Sequence, residues 1–453
     1  MVKSKTGSDM TVGSPFRHIL LFAIPVFLSN LFQQIYTVAD TAIVSRTLGD
    51  QALAAVGSIG SVNFLILGFC NGMGMGFAVP IAQCFGAKDY PAMRRYAGNA
   101  VWVYTVISVI FTVSSAALCM PILKVTQTPP EIIEMAYRYL IVIFLGIPVQ
   151  FAYNTLSAMI RSLGDSKTPL YLLIAASLLN IALDLIFILS FSLGTMGAAL
   201  ATVLSQLFSV VGCLVLIRLR IPELCLTKED LQPRRKYLSG LIKNGLPMGL
   251  QMSVTGIGSI LLQTSVNMLG ATAVASIVAA ERICNMLAVV TMSLGSAMTV
   301  YCGQNLGARQ YQRIETGIQT GVLTGLVFSG AAFLILWRFG RILELIFLNA
   351  ASVTLIEMTY KYLFITAAFL WAQSLIFTVR FSLQGLGRAQ IALAACLLEM
   401  IARSSFGLFF VPKFGFSAAC FSSPAAWVMA DLLLVPACLL ILKRMKHLSA
   451  AEQ

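Results

Sequence analysis

Apolar residues run in long stretches along the whole chain, separated by short polar breaks. Reading the stretches between breaks gives twelve candidate helices, over 17–46, 52–85, 95–123, 135–161, 168–192, 197–218, 240–269, 273–303, 316–347, 355–386, 390–412 and 416–442. Most are long enough to cross a hydrocarbon layer of ~30 Å, and several leave slack for tilt or a kink. An even number of spans puts both termini on one side. Lys3, Lys5, Arg17, Lys88, Arg94, Arg95, Arg161, Lys167, Arg309, Arg313, Arg388, Lys443, Arg444 and Lys446 fall in one set of connections. The opposite set carries chiefly Lys124, Arg138, Arg338, Arg341 and Lys413, so the termini are expected to be cytoplasmic in the plasma membrane.

The longest connection, 219–239, lies at the midpoint and is the most charged. It reads as a solvated cytoplasmic basic linker between an N-terminal six-helix lobe, 1–218, and a C-terminal one, 240–453. Its Arg234, Arg235 and Lys236 also suit anionic headgroups of membrane lipids. The halves are similar to each other. Ile24-Pro25 matches Leu246-Pro247, Leu48-Gly49 matches Leu269-Gly270, and AQCFGAKDY from Ala82 matches GQNLGARQY from Gly303, at offsets of 221 to 222 residues. SLLNIALD from Ser177 matches CLLEMIAR from Cys396. Six spans per repeat is even, so the two repeats are parallel, an arrangement characteristic of secondary transporters.

Composition narrows the class. Of 453 residues, 58% are hydrophobic and 11% charged, with mean hydropathy +0.86; a soluble domain carries about 25% charged residues. The net charge of +13 lies in topology-setting connections, which argues against a nucleic-acid partner. The polar start, with no short apolar core, reads as lacking a cleavable signal. Ten cysteines form no C-x-x-C pair and nearly all lie inside apolar runs, so they read as small apolar residues. His18 and His447 stand at opposite ends, which leaves no histidine-liganded metal site. No cofactor is expected.

Ionisable groups at bilayer depth cost about 2.5–3.5 kcal/mol on insertion scales and need a reason. Asp40 lies in the first span, Asp184 in the fifth with Asn180 one turn earlier, and Thr202 in the sixth. At ~1.5 Å per residue, Asp40, Asp184 and Thr202 fall ~9, ~15 and ~12 Å from the outer ends. Groups at one depth on three helices suggest one polar cluster. Burial and a second carboxylate both disfavour ionisation, so such a cluster can carry a proton; its oxygens also suit sodium. A helix-packing network without an ion is the plain alternative. Pro25, fifteen residues before Asp40, removes a backbone hydrogen bond and favours a kink, either one that protonation controls or a static one. In the second half, Glu281-Arg282, Arg380 and the i,i+4 pair Glu399–Arg403 read as internal ion pairs, and Asp431 has no evident partner.

The runs IPVFLSNLFQQIYTVADTAIVSRTLGDQALAAVG, GMGMGFAVPIAQCFGAKD, IRSLGDSKTPLYLLIAASLLNIALD and LGTMGAALATVLSQ, with GQNLGAR and LQGLG in the second half, resemble multidrug and toxic compound extrusion (MATE) transporters over about residues 15–445. The resemblance implies an all-α integral membrane protein of twelve transmembrane helices in two parallel six-helix repeats, arranged as a V. It implies efflux of small amphipathic organic cations in exchange for protons or sodium, and no enzyme activity; a monomer is expected. The DinF-like branch places its ion site at the positions of Asp40, Asn180, Asp184 and Thr202, with cavity residues at Gln33, Tyr36 and Asn154. The NorM-like branch has acids where this chain has Thr255 and Gln373. The alternative is a flippase of lipid-linked substrates in the same superfamily, which generally needs a cationic cavity for phosphate.

Overall fold

The structure, a computed structural model, describes residues 8–347 and 353–451, and among these there is no β-strand. The first half comprises α1 (Pro15–Leu48), α2 (Asp50–Ser58), α3 (Gly60–Gly86), α4 (Tyr90–Val125), α5 (Pro130–Leu145), α6 (Ile147–Ser162), α7 (Lys167–Leu185) and α8 (Thr195–Arg220). The second comprises α9 (Arg235–Asn267), α10 (Ala271–Gly307), α11 (Tyr311–Phe347), α12 (Val353–Ala368), α13 (Leu370–Gly385), α14 (Ala389–Ser405), α15 (Val411–Phe414) and α16 (Phe416–Ala451). Among the described residues ten helices are long and apolar enough to cross a membrane, and the number reaches twelve if each of two bent pairs is one span. The protein is therefore an all-helical, multi-pass membrane protein.

The bent pairs are the fourth and tenth spans, expected as continuous. α5 meets α6 at 49° and α12 meets α13 at 47°. At the first break Pro148 supplies no N–H, and the Val149 N–H reaches back three residues to Gly146 O at 3.0 Å. The second break, at Phe369, has no proline; Phe369 N–H donates to Thr366 O at 3.1 Å in the same tight-turn pattern. Each bend exposes a carbonyl that a neighbouring helix satisfies. Tyr104 Oη of α4 donates to Pro148 O at 2.6 Å, and Ser329 Oγ of α11 donates to Leu370 O at 3.1 Å. The second span, expected over 52–85, is split into α2 and α3 beside Gly57 and Gly60, where the equivalent α10 is continuous. Glycine is the weakest ordinary helix former, at about 1 kcal/mol relative to alanine.

The repeat extends to the backbone. Gly49 and Gly270 share a left-handed φ of 83° and 90°, Gly194 and Gly415 each have 60°, and the non-glycine pair Lys88 and Arg309 have 58° and 55°. π-helical turns close both α7 (Ile186–Ser190) and α14 (Phe406–Phe410).

Packing divides the chain into two compact units: Met1–Asp9 with Ile24–Gly249, and Met10–Ala23 with Leu250–Gln453. The division cuts α1 just before Ile24-Pro25 and α9 shortly after Pro247, the matched prolines of the repeat. α1 is continuous through Pro25, whose carbonyl accepts from Ser29 Oγ at 2.9 Å.

The first unit is centred on Met73, Phe77, Phe144 and Phe151, all fully buried. The midpoint connection is docked on this unit. Asn99 Nδ2 donates to Gln232 O at 3.2 Å, Trp102 Nε1 to Leu231 O at 2.6 Å, and the Arg234 N–H to Asn99 Oδ1 at 2.9 Å. Ile221, Leu224 and Asp230 are buried there, while Arg234, Arg235 and Lys236 stay exposed. In the second unit the segment before α1 is held in the same manner. Met10 N–H donates to Gln304 Oε1 at 3.0 Å, and Met10 O accepts from Asn305 Nδ2 at 3.2 Å and Arg313 Nη2 at 3.0 Å. Arg313 thus anchors the N-terminal segment as well as adding charge to a connection.

Candidate functional site

Within the first unit, α1 presents Tyr36 and Asp40 four residues apart, hence on one face, and α7 presents Asn180 and Asp184 likewise. Asn180 and Asp184 are completely buried, and Thr202 of α8 is 9% exposed. The carboxyl groups of Asp40 and Asp184 lie within hydrogen-bonding reach of each other. With its amide nitrogen turned to the acid, Asn180 donates to Asp184 Oδ2 at 3.0 Å, and its oxygen accepts from the Thr202 N–H at 3.2 Å. Thr202 Oγ1 donates to Ala198 O at 3.1 Å, so its single proton is used. Tyr36 Oη, 3.4 Å from Thr202 Oγ1, is then the donor of that longer contact.

The structure therefore brings together Asp40, Asn180, Asp184 and Thr202, with Tyr36 attached to them. Gln33 is exposed on α1 one turn before Tyr36, and Asn154 is half-buried on α6; no hydrogen bond joins either to the acids. Tyr139 of α5, 7% exposed, is a further neighbour that sequence reading misses: it lies close enough to both carboxyls and to Tyr36 to interact with them electrostatically. Its nine-residue distance from Pro130 puts it ~13 Å along its helix, the depth of the other members, which is the signal that would have found it. Asp184 stands two residues before a π turn. Such turns widen the helix locally and recur at functional sites.

Asp40 Oδ1 and Asp184 Oδ1 are buried with no hydrogen-bond partner in the protein. An ionised carboxylate only accepts hydrogen bonds, so a bond between these two carboxyls would require a proton. The remaining oxygens, with the hydroxyls of Tyr36 and Thr202, also make an oxygen-only set of the kind hard cations take. An apolar cavity of about 760 Å³ elsewhere in the unit, between α4, α6, α8 and the midpoint connection, contains none of these residues.

In the second unit the charges pair differently from the sequence expectation. Glu399 is bound to Arg380 of α13, not to Arg403 on its own helix. Glu281 accepts from Tyr362 Oη at 3.4 Å and faces Arg403, whereas Arg282 is exposed on the other side of α10. The reason is rotational. Adjacent residues point about 100° apart on a helix, and an i,i+4 pair forms only where no better partner stands on a neighbouring helix. Asp431 faces Arg380 without a hydrogen bond. Thr255 Oγ1 donates to Gln251 O at 2.9 Å and contacts Cys396 Sγ at 3.3 Å, and Gln373 is 9% exposed.

Comparison with known proteins places this geometry in context. The sequence profile of the MatE family matches residues 25–186 and 247–409. The probable multidrug resistance protein YoeA of Bacillus subtilis is 28% identical over 366 residues, covering 79% of this chain and 78% of that protein. An FAD transporter of Shewanella oneidensis is 24% identical over 74% of this chain and 75% of its own length. The outward-facing structure of a multidrug resistance MATE family transporter of the MOP superfamily superposes with a TM-score of 0.90 at 22% identity, covering 98% of this chain and 99% of that one.

Proposed function

The chain belongs to the MatE family, and from that premise we propose that it is a secondary active multidrug exporter of amphipathic organic cations, driven by protons or sodium returning through the acid pair of the first unit. The observation that carries the reading is the Asp40–Asp184 contact, in a unit of apolar helices, with one oxygen of each acid unpartnered. When the shared proton leaves, two like charges remain in contact. At about 4 Å and an effective dielectric of about 20 their repulsion is about 4 kcal/mol. Ion binding therefore changes the energy of holding α1 against α7, and Pro25 supplies a weak point at which α1 bends in response. Sodium among the same oxygens has the same electrostatic effect.

Relatives named as multidrug resistance proteins support export. An acidic site supports cationic cargo and tells against the flippase alternative, which needs positive charge for phosphate. Thr255 and Gln373, where the NorM-like branch has acids, support the DinF-like assignment. The distribution of basic residues supports a plasma-membrane protein with both termini cytoplasmic and lobes at 1–218 and 240–453. It is proposed to act as a monomer.

The test is efflux of a fluorescent lipophilic cation from proteoliposomes under an imposed proton or sodium gradient, applied separately. Transport driven by one gradient and lost in both Asp40→Asn and Asp184→Asn is the expected result. Transport that survives both substitutions removes the acid pair from the mechanism, and failure under either gradient in the wild type reopens the flippase reading.

A further inference from the structure

The second unit holds five ionisable side chains, three buried and two half-buried, that the acid pair of the first unit leaves unexplained. Arg380 on α13, Glu399 on α14 and Asp431 on α16 are 5%, 7% and 8% exposed. Arg403 on α14 and Glu281 on α10 are half-buried and face each other beside Tyr362 of α12. The cluster holds two guanidinium groups and three carboxyls. Arg380 is bound to Glu399 and Arg403 faces Glu281, so each cation already has one acid. Asp431 is the third acid, and both its oxygens are buried without a hydrogen-bond partner.

A fully ionised cluster would carry one uncompensated negative charge inside an apolar helix unit. Charges so placed are not left unpaired; they are neutralised or they mark an ion path. Asp431 lies fifteen residues into α16, ~22 Å from its start, too deep for its short side chain to reach an aqueous end. The charged group that faces it is Arg380 from α13; Arg380 is in turn bound to Glu399 and lies near Arg403, both of α14, and Arg403 lies near Tyr362 of α12. Of the other charges on helices packed against α16, Lys361 donates to Ser417 at 2.7 Å and Glu315 pairs with Lys446 at 2.7 Å, both near its ends, while Arg313, Arg338, Arg341, Glu357 and Lys413 lie towards the ends of their own helices or on the short α15. A metal cation needs several oxygen ligands and would meet the Arg380 guanidinium here. A proton needs one oxygen and gains neutrality for the whole cluster.

We propose that Asp431 is a second, exchangeable proton-binding site, housed in the second unit and separate from the Asp40–Asp184 pair. The proton forms the carboxylic acid on Asp431, and its release leaves the carboxylate facing Arg380. Any part this proton plays in transport rests on the ion-exchange reading above, but its existence does not.

The deciding measurement is pH-dependent infrared difference spectroscopy of the full-length protein in lipid nanodiscs, with no substrate and no gradient. The Asp40→Asn/Asp184→Asn double variant removes the first site. It is expected to keep a protonated-carboxyl C=O stretch that titrates, equivalent to one proton per protein. Adding Asp431→Asn is expected to abolish that band, and adding Asp431→Glu instead to restore it at a shifted frequency and midpoint. The glutamate variant keeps the assignment testable if the asparagine variant folds poorly. A double variant with no titrating carboxyl band, or a band unchanged by either substitution at 431, overturns the proposal. Because no gradient is applied, failure of ion-driven transport leaves this measurement intact.

Discussion

Gly72 of α3 approaches α9 so closely that a Cβ there would lie 2.3 Å from Met248 O, 2.8 Å from Met248 C and 2.9 Å from Gly249 Cα. All three are backbone atoms, so no rotamer change relieves the clash, and α9 must retreat by about 1 Å to restore normal separation. The retreat propagates along a face built from glycine on both helices. Gly76 meets Gly245 Cα under the same test at 2.5 Å, and Gly249 meets Met73 Cγ at 2.7 Å. Small residues spaced by four let membrane helices come this close, and dispersion is then the main attraction between them. A gap of 0.5–1 Å forfeits about a quarter to a half of each such contact, and overpacking costs about 1–3 kcal/mol. Replacing glycine in a helix returns about 1 kcal/mol of propensity. Gly72→Ala is therefore expected to destabilise the protein, by up to about 2 kcal/mol. Gly57→Ala is the control: its Cβ would meet nothing within 4 Å, so it should be neutral or stabilising by up to about 1 kcal/mol. Thermal unfolding of the purified protein, followed by intrinsic fluorescence, compares the two. A Gly72→Ala protein at least as stable as wild type would refute the argument from close approach.

Other consequences are equally open to measurement. Glu399→Gln removes the carboxylate bound to the buried Arg380; Asp431 still faces that guanidinium but makes no hydrogen bond to it, so the loss should be that of a buried donor left unsatisfied, about 1–3 kcal/mol, read as a drop in unfolding temperature. Arg380→Met with Glu399→Leu, which removes both charges, should recover most of it, and no recovery would discount the pairing. Tyr104→Phe strips the Pro148 carbonyl of its donor at the α5–α6 bend and is expected to cost about 1–3 kcal/mol in the same assay. Tyr36→Phe removes the long 3.4 Å contact to Thr202 and one uncharged oxygen of the site. Its proteoliposome efflux should fall a few-fold, in contrast to the complete loss expected for Asp40→Asn; equal losses would place the Tyr36 hydroxyl among the essential groups.

Much of this protein is readable along one dimension. Span number follows from apolar run length, because a helix must cross ~30 Å of hydrocarbon at ~1.5 Å per residue. The repeat follows from matched motifs, and the left-handed Gly49 and Gly270 or Lys88 and Arg309 show that those motifs encode backbone geometry. The depths of Asp40, Asp184 and Thr202 also come from counting, which is why a single cluster was a reasonable expectation from sequence.

What only the tertiary structure decided is azimuth and neighbourhood. Counting does not say which helix a side chain faces, so it leaves Tyr139 out, pairs Glu399 with Arg403 where the structure pairs it with Arg380, and pairs Glu281 with Arg282 where Glu281 accepts from Tyr362 and lies near Arg403. The bend at Phe369 has no proline to announce it and depends on a hydroxyl 41 residues away in sequence, Ser329 on α11, to satisfy Leu370 O. By its charge the midpoint connection reads as a solvated linker. It is docked because Asn99 and Trp102 of α4 satisfy its backbone groups. Hydrophobicity is a local property of the chain and fixes how many helices form and where they end; hydrogen bonds and ion pairs are contracts between two helices, and their partners exist only once the helices have packed.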